Sequence, residues 1–254
     1  MCSVPHPICS CSRQQKCQNI RHAVDHEAMS RHQRLVTRTS TSDCPVSYGM
    51  VHLRASPGAP RSSHSVSQIV AIALQEADAY IKGGLNGLLI ENMHDVPYMN
   101  RSAGPEVVAT MACAAWELRR AFPSVPIGLQ VLAGCNRESL AIAHACDCDF
   151  IRAESFVFGH VGDEGYMDAC AGDLLRYRRA IGACSVRVFT DVKKKHSAHA
   201  VTADVSIAET SVAAAFFDVD GVIVTGKFSI QPVRFHPIPI NLFRQQHRPR
   251  CVCV

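Results

Sequence analysis

The chain has 254 residues, 47% of them hydrophobic, enough for one large domain of the size a closed α/β barrel needs, about 250 residues. Its formal charge of +4 is small and weighted to the ends, the last 28 residues holding five Lys or Arg and no Asp or Glu, so no nucleic-acid partner is expected. Even the most apolar stretch, SVAAAFFDVDGVIV, is interrupted by Asp218 and Asp220, short of the roughly 18 apolar residues a transmembrane helix requires.

Residues 1–45 lack periodicity and are rich in Cys, Arg, His, Ser and Thr, which predicts a disordered leader unable to bury a core. After Met29, SRHQRLVTRTSTS has the Arg- and Ser/Thr-rich, acid-free composition of a mitochondrial transit peptide, although Asp25 and Glu27 precede it. No apolar signal segment leads the chain and its 13 cysteines are odd in number, so reduced thiols in an intracellular protein, cytoplasmic or mitochondrial, are expected.

From Tyr48 short apolar runs alternate with helical patterns, the mark of βα units building a parallel sheet. GMVHL reads as the first strand. From Ser65 to Lys82 the residues Ile69, Ile72, Ala73, Ala77, Tyr80 and Ile81 recur at helical spacing, and Gly83-Gly84 ends that helix. GLLIEN is the second strand, followed by a helix from Pro105 to Ala121, PIGLQVL, a helix from Arg137 to Cys146, and DFIRAE as the fourth strand. Helix-forming residues from Tyr166 to Ile181 lead to VRVFTDV, and SIAETSVAAAFFD leads to GVIVTG as the sixth strand. The tail from Lys227 carries prolines at 232, 237, 239 and 249, which predict an irregular segment rather than a seventh unit.

With GMVHL, GLLIENMHDVPY, PIGLQVL, DFIRAESFVFGHVGDEG, LRYRRAIGA, FTDVKKKH and GVIVTG in this order, the chain resembles the BtpA family from about Tyr48 to Gly226. The resemblance implies a TIM-type (β/α) barrel without a well-defined catalytic function across the family, whose name refers to photosystem I biogenesis and whose relatives sit among presumed sugar-metabolism proteins. The resemblance further implies a continuation into two more strands, including a glycine-rich turn of the kind that holds phosphate in many barrels. The expectation is therefore an incomplete α/β barrel of about six of the eight units, truncated at its C-terminal side, with a core over residues 46–226 and an irregular Pro/Arg-rich tail over 227–254.

In such a barrel the loops after the strands converge on one face. That nominates His52 after the first strand; Glu91, Asn92 and Asp95 after the second; Arg152 and Glu154 on the fourth, with Asp163 and Glu164 in its loop; Asp191, Lys193 and His196 after the fifth; and Thr225 after the sixth. Glu91, Asp191 and Lys193 are the candidates for acid–base or nucleophilic work, and the others for ligand contacts. Arg152 lies two residues from Glu154, so both face one side of a strand, where an ion pair of Arg152 with Glu154 or Glu91 is the structural alternative. Lys194 and Lys195 read as solvated. Asn92 and Asp95 suit turn chemistry equally well.

No paired spacing such as HxxxH or HxH supports a metal site, Cys146 and Cys148 read as plain thiols, and GxGxxG, GxxxxGK[ST] and GxSxG are absent, so no cofactor is named. Two functions remain: a barrel binding a small phosphorylated, sugar-like or nucleoside-like ligand at the strand ends, or a non-catalytic assembly scaffold. A non-functional truncated isoform and self-association through open barrel edges are further expectations.

Overall fold

The computed structural model describes residues 46–225, together with Arg31, Arg34, Leu35 and the backbone strand Arg250–Cys253. Readings of the rest of the leader, and of residues 226–249, lie outside the described residues.

The core alternates strands and helices: β1 (Tyr48–His52), α1 (Val66–Lys82), β2 (Gly87–Glu91), α2 (Pro105–Ala121), β3 (Ile127–Gln130), α3 (Asn136–Ala145) and β4 (Phe150–Ala153). It continues with β5 (His160–Gly162), β6 (Gly165–Met167), α4 (Ala171–Ala180), β7 (Arg187–Val192), β8 (Ser197–Ala198), a 3-10 turn (Ala200–Thr202), α5 (Ile207–Phe216), β9 (Gly221–Val224) and β10 (Arg250–Cys253). Three of these helices start where local chemistry favours a first turn. Ser65 and Gln68 close a capping box on α1, Pro105 occupies the first turn of α2, and Ser206 with Glu209 repeats the box on α5.

The main sheet runs in the order β1-β2-β3-β4-β7-β9-β10, every pair parallel. Its strands alternate between two buried faces. Val51, Leu88, Ile90, Ile127, Leu129, Ile151, Val188 and Val222 join the core beneath the helices, whereas Leu89, Phe150, Phe189 and Ile223 form a second cluster with Tyr48 and Met50. The ring of Tyr48 lies 5.3 Å from that of Phe150. In a flat sheet their strands would be about 14 Å apart, three spacings of about 4.8 Å, so the sheet curls round a lumen. Gly128 makes room in that lumen, since a Cβ there would fall 2.2 Å from the Phe150 ring. The molecule is an incomplete TIM-type (β/α) barrel, as the alternation of strands and helices predicts.

Three local expectations need correction. The helix read from Tyr166 begins only at Ala171, because His160–Gly162 and Gly165–Met167 form an antiparallel hairpin that β8 joins from the loop after β7. The tail is not irregular throughout: Arg250–Cys253 pairs in parallel with β9 from Arg250↔Gly221 to Cys253↔Val224.

The leader also reaches the core. Leu35 packs on Leu89, Phe150, Phe189 and Ile223, closing the lumen at the N-terminal ends of the strands. Arg34 is buried and its Nε donates to Asp149 at 2.6 Å. Asp149 also accepts from Arg119 and from the Ile127 backbone N–H at 2.8 Å, so two guanidiniums and an amide compensate one fully buried carboxylate.

Candidate functional site at the C-terminal ends of the strands

At the opposite end of the lumen the inward-facing positions turn from apolar to polar. Register places His52 beside Glu91 and Glu91 beside Gln130, and the next strands supply Arg152 and Asp191. His52 Nε2 and Glu91 Oε2 are 3.3 Å apart. Arg152 makes neither ion pair, with Glu154 or Glu91, that the sequence leaves open as an alternative to ligand contact. Instead its Nε lies 3.1 Å from Asp191 Oδ2 and its Nη2 donates to Oδ1 at 3.1 Å, a two-pronged clamp across β4 and β7.

Asp191 is buried, and that burial pushes its carboxyl up to about 6; Arg152 opposes the rise and the charge of Glu154 adds to it. For Arg152 burial lowers proton affinity, but Asp191, Glu91 and Glu154 together outweigh it and the guanidinium stays charged. Arg152 and Lys194 thus face three carboxylates, and burial outweighs their pull on Asp191.

The lysines are distributed otherwise than their spacing implies. Lys193 takes a left-handed backbone, φ 49°, which breaks the strand's alternation. Its ammonium turns to the carbonyl and hydroxyl of Thr202, the latter at 3.0 Å, so it fastens the loop rather than standing free as a nucleophile. Lys194, expected to be solvated, is the one that turns inward and meets Glu154 Oε1 at 2.7 Å, its side chain 12% exposed.

Several other nominated residues brace loops. Asp95 accepts from the Ser56 N–H at 2.6 Å and from Asn92 Nδ2 at 3.0 Å, while Asn92 Oδ1 accepts from the Leu132 N–H at 2.7 Å, tying together the loops after β1, β2 and β3. Glu154 Oε2 accepts from the Gly134 N–H at 2.6 Å. Thr225 Oγ1 accepts from the Lys195 N–H at 2.9 Å. Asp163 and Glu164 form the β5–β6 turn, with Asp163 exposed, and His196 is exposed at φ 59°; none of these three joins the ring.

The structure adds residues that the sequence reading does not single out. Gln130 is 1% exposed and its Oε1 has no partner among the described residues. A polar residue closing the apolar run IGL was the available signal. Ser155, His160, His199 and Thr202 line, with Asp191, Lys193 and Lys194, a cavity beneath the small antiparallel sheet. Cys146 and Cys148 are buried free thiols, and burial pushes Cys148 up to about 12, far from a metal-binding thiolate. No group of three His, Cys, Asp or Glu residues suited to a metal ion occurs among the described residues, and none of their helices is long and apolar enough to cross a membrane.

An uncharacterised mitochondrial protein of Caenorhabditis elegans is 48% identical over 196 residues, covering 76% of this chain and 71% of its own. The photosystem I biogenesis protein BtpA of Synechocystis is 31% identical over 178 residues, covering 70% of this chain and 61% of the relative. Among solved structures, a 2,3-dimethylmalate lyase is similar with a TM-score of 0.49 at 10% identity, over 77% of this chain and 64% of that one. The profile of the BtpA family matches residues 44–237, and the chain belongs to that family.

Proposed function

We propose that the barrel mouth binds a small hydroxyl-bearing ligand, sugar-like or nucleoside-like, with or without a phosphate, and that Asp191 exchanges a proton with it. The observation that supports this reading is a buried carboxyl, clamped by Arg152 at the end of β7, whose proton affinity is raised to about 6. Such a group takes up and releases a proton near neutral pH, as acid–base chemistry requires. Glu91, held by His52, is the second carboxylate on the ring.

The charges at the mouth favour hydroxyls over phosphate. Arg152, Lys193 and Lys194 are each engaged by Asp191, Thr202 and Glu154. Gln130, by contrast, offers an unengaged carbonyl oxygen, suited to a ligand O–H. The mitochondrial relative and the Arg-rich leader together favour a mitochondrial location.

The test is thermal unfolding of the full chain against a panel of nucleosides, free sugars and sugar phosphates. A ligand at one hundred times its Kd adds about 2.7 kcal/mol of stability. One chemical class raises Tm, and Asp191→Asn and Gln130→Met abolish the rise. No rise with any class, or a rise that survives both substitutions, overturns the reading.

A second reading, a non-catalytic assembly factor, has its own support. An apolar cavity of about 220 Å³, lined by Phe156, Phe158, Ala171, Ala213 and Phe217 among others, opens between α4 and α5. Phe216 beside it is 81% exposed. If assembly is the function, Phe217→Asp abolishes co-purification of a partner while leaving every ligand-induced Tm shift intact. Unchanged co-purification contradicts it.

A further inference from the structure

Beneath the sheet β6-β5-β8 lies a cavity of about 20 Å³, walled by Ser155, His160, Asp191, Lys193, His199 and Thr202 among others. This is room for one water-sized group and no more. Ser155, Phe158 and Lys193 all line it and all hold a left-handed backbone, at φ 50°, 59° and 49°. Non-glycine residues in that region persist only where surrounding structure holds them, and they gather at ligand-binding sites.

His160 is 6% exposed, and its two ring nitrogens differ. Nδ1 meets Ser155 Oγ at 3.3 Å, while Nε2 is buried without a partner among the described residues. An unpaired buried imidazole nitrogen costs free energy unless something completes it. The groups facing the ring are Lys194, engaged by Glu154, and His199, whose ring lies 5.5 Å away and whose Nε2 contacts the Lys194 carbonyl at 2.9 Å; Asp191 and Lys193 share the cavity wall.

The geometry points to a seat for a single hydroxyl group between His160 Nε2 and the Asp191 carboxyl, with His160 holding the oxygen and Asp191 the proton. The seat requires Ser155 Oγ to donate to Nδ1, so that the neutral ring carries its proton on Nε2. The hydroxyl oxygen then accepts from Nε2–H and its O–H donates to the Asp191 carboxylate. When Asp191 takes that proton, the electron pair stays on oxygen, steadied by the Nε2–H bond, and the proton returns by the same path. Burial, with Lys194 and His199 adding to it, holds the His160 ring down to about 4, so it serves as a neutral donor throughout the range where Asp191 titrates. This inference rests on the role given to Asp191 above and adds the oxygen-holding partner.

The experiment is a pH titration of the full chain by NMR, following the ring nitrogens of His160 and the side-chain carboxyl carbon of Asp191 from pH 4 to 8. The expected result is a neutral His160 with its proton on Nε2 above about pH 5, and an Nε2 shift that moves with the Asp191 midpoint near 6. A proton on Nδ1, a His160 that becomes cationic near 6.5, or an Nε2 shift that stays flat while Asp191 titrates near 6, overturns the seat and leaves the Asp191 reading standing. An Asp191 midpoint near 4 overturns that reading itself. Repeating the titration with D-ribose separates the sources. A ribose-dependent Nε2 shift assigns the hydroxyl to the ligand, a water cross-peak at Nε2–H with no ribose effect assigns it to water, and neither signal sinks the seat. Ser155→Ala provides a second readout, since it frees the ring to sample both tautomers without touching Asp191.

Discussion

Asp191 shows how one residue's environment sets its chemistry. Burial raises its proton affinity, and the guanidinium that would lower it is shared with Glu91 and Glu154. Because the folded value of about 6 exceeds the ordinary 3.8, Asp191 contributes stability below about pH 4 that is lost as pH rises through 6. His160 has the opposite sign: its folded value near 4 lies below the ordinary 6.5, so its contribution is present above pH 6.5 and lost as pH falls through 4. The two slopes oppose each other in the wild-type chain. Urea unfolding of wild type and Asp191→Asn separates them, and the stability of wild type relative to the variant falls between pH 4 and 6, by on the order of 3 kcal/mol. A difference that is flat with pH contradicts the assignment. Arg152→Met leaves a buried carboxylate unpaired and costs about 3–5 kcal/mol at pH 7, less at pH 5, where Asp191 takes up a proton.

At the scale of elements, what is legible in the sequence depends on whether neighbouring structure keeps the periodicity intact. Strands such as GLLIE and FIRA are buried on both faces by helices and lumen, so apolar runs between capped helices identify them. Parity along those strands puts Glu91, Arg152 and Asp191 on the same inward side as Leu89, Phe150 and Phe189. Parity fails one residue beyond β7, where the left-handed Lys193 rotates the chain and hands the inward position to Lys194. His160 escapes nomination because it reaches the site from a three-residue strand inside a loop, which carries no period of its own. Leu35 and Arg34 are hidden among aperiodic leader residues, since a single apolar side chain entering a lumen leaves no pattern. Their importance is measurable: Leu35→Ala costs about 2–5 kcal/mol, and Arg119→Ala, which strips Asp149 of a partner, about 3–5 kcal/mol, both read by urea unfolding. Gly128→Ala pushes against the Phe150 ring and costs about 1–3 kcal/mol. Values within 0.5 kcal/mol of wild type at all three positions contradict the packing described for the lumen and its floor.

Across the whole molecule the two ends of the lumen carry polar networks of different kinds. At the floor, Asp149 is matched by Arg34, Arg119 and a backbone amide, as a structural carboxylate should be. At the mouth, Arg152 is shared among Asp191, Glu91 and Glu154, with Lys194 on Glu154, and buried atoms of Gln130 and His160 have no partner among the described residues. Residues that only hold a fold together are expected to be satisfied, and the contrast between Asp149 and the mouth supports the proposed role of Asp191. The measurement that tests this most directly is the carbon-13 titration of the Asp191 carboxyl in the full chain. A midpoint near 6, moved by a hydroxyl-bearing ligand and left unmoved by Leu35→Ala at the floor, is the predicted result. A midpoint near 4 that no ligand shifts contradicts a proton-exchanging site at the barrel mouth.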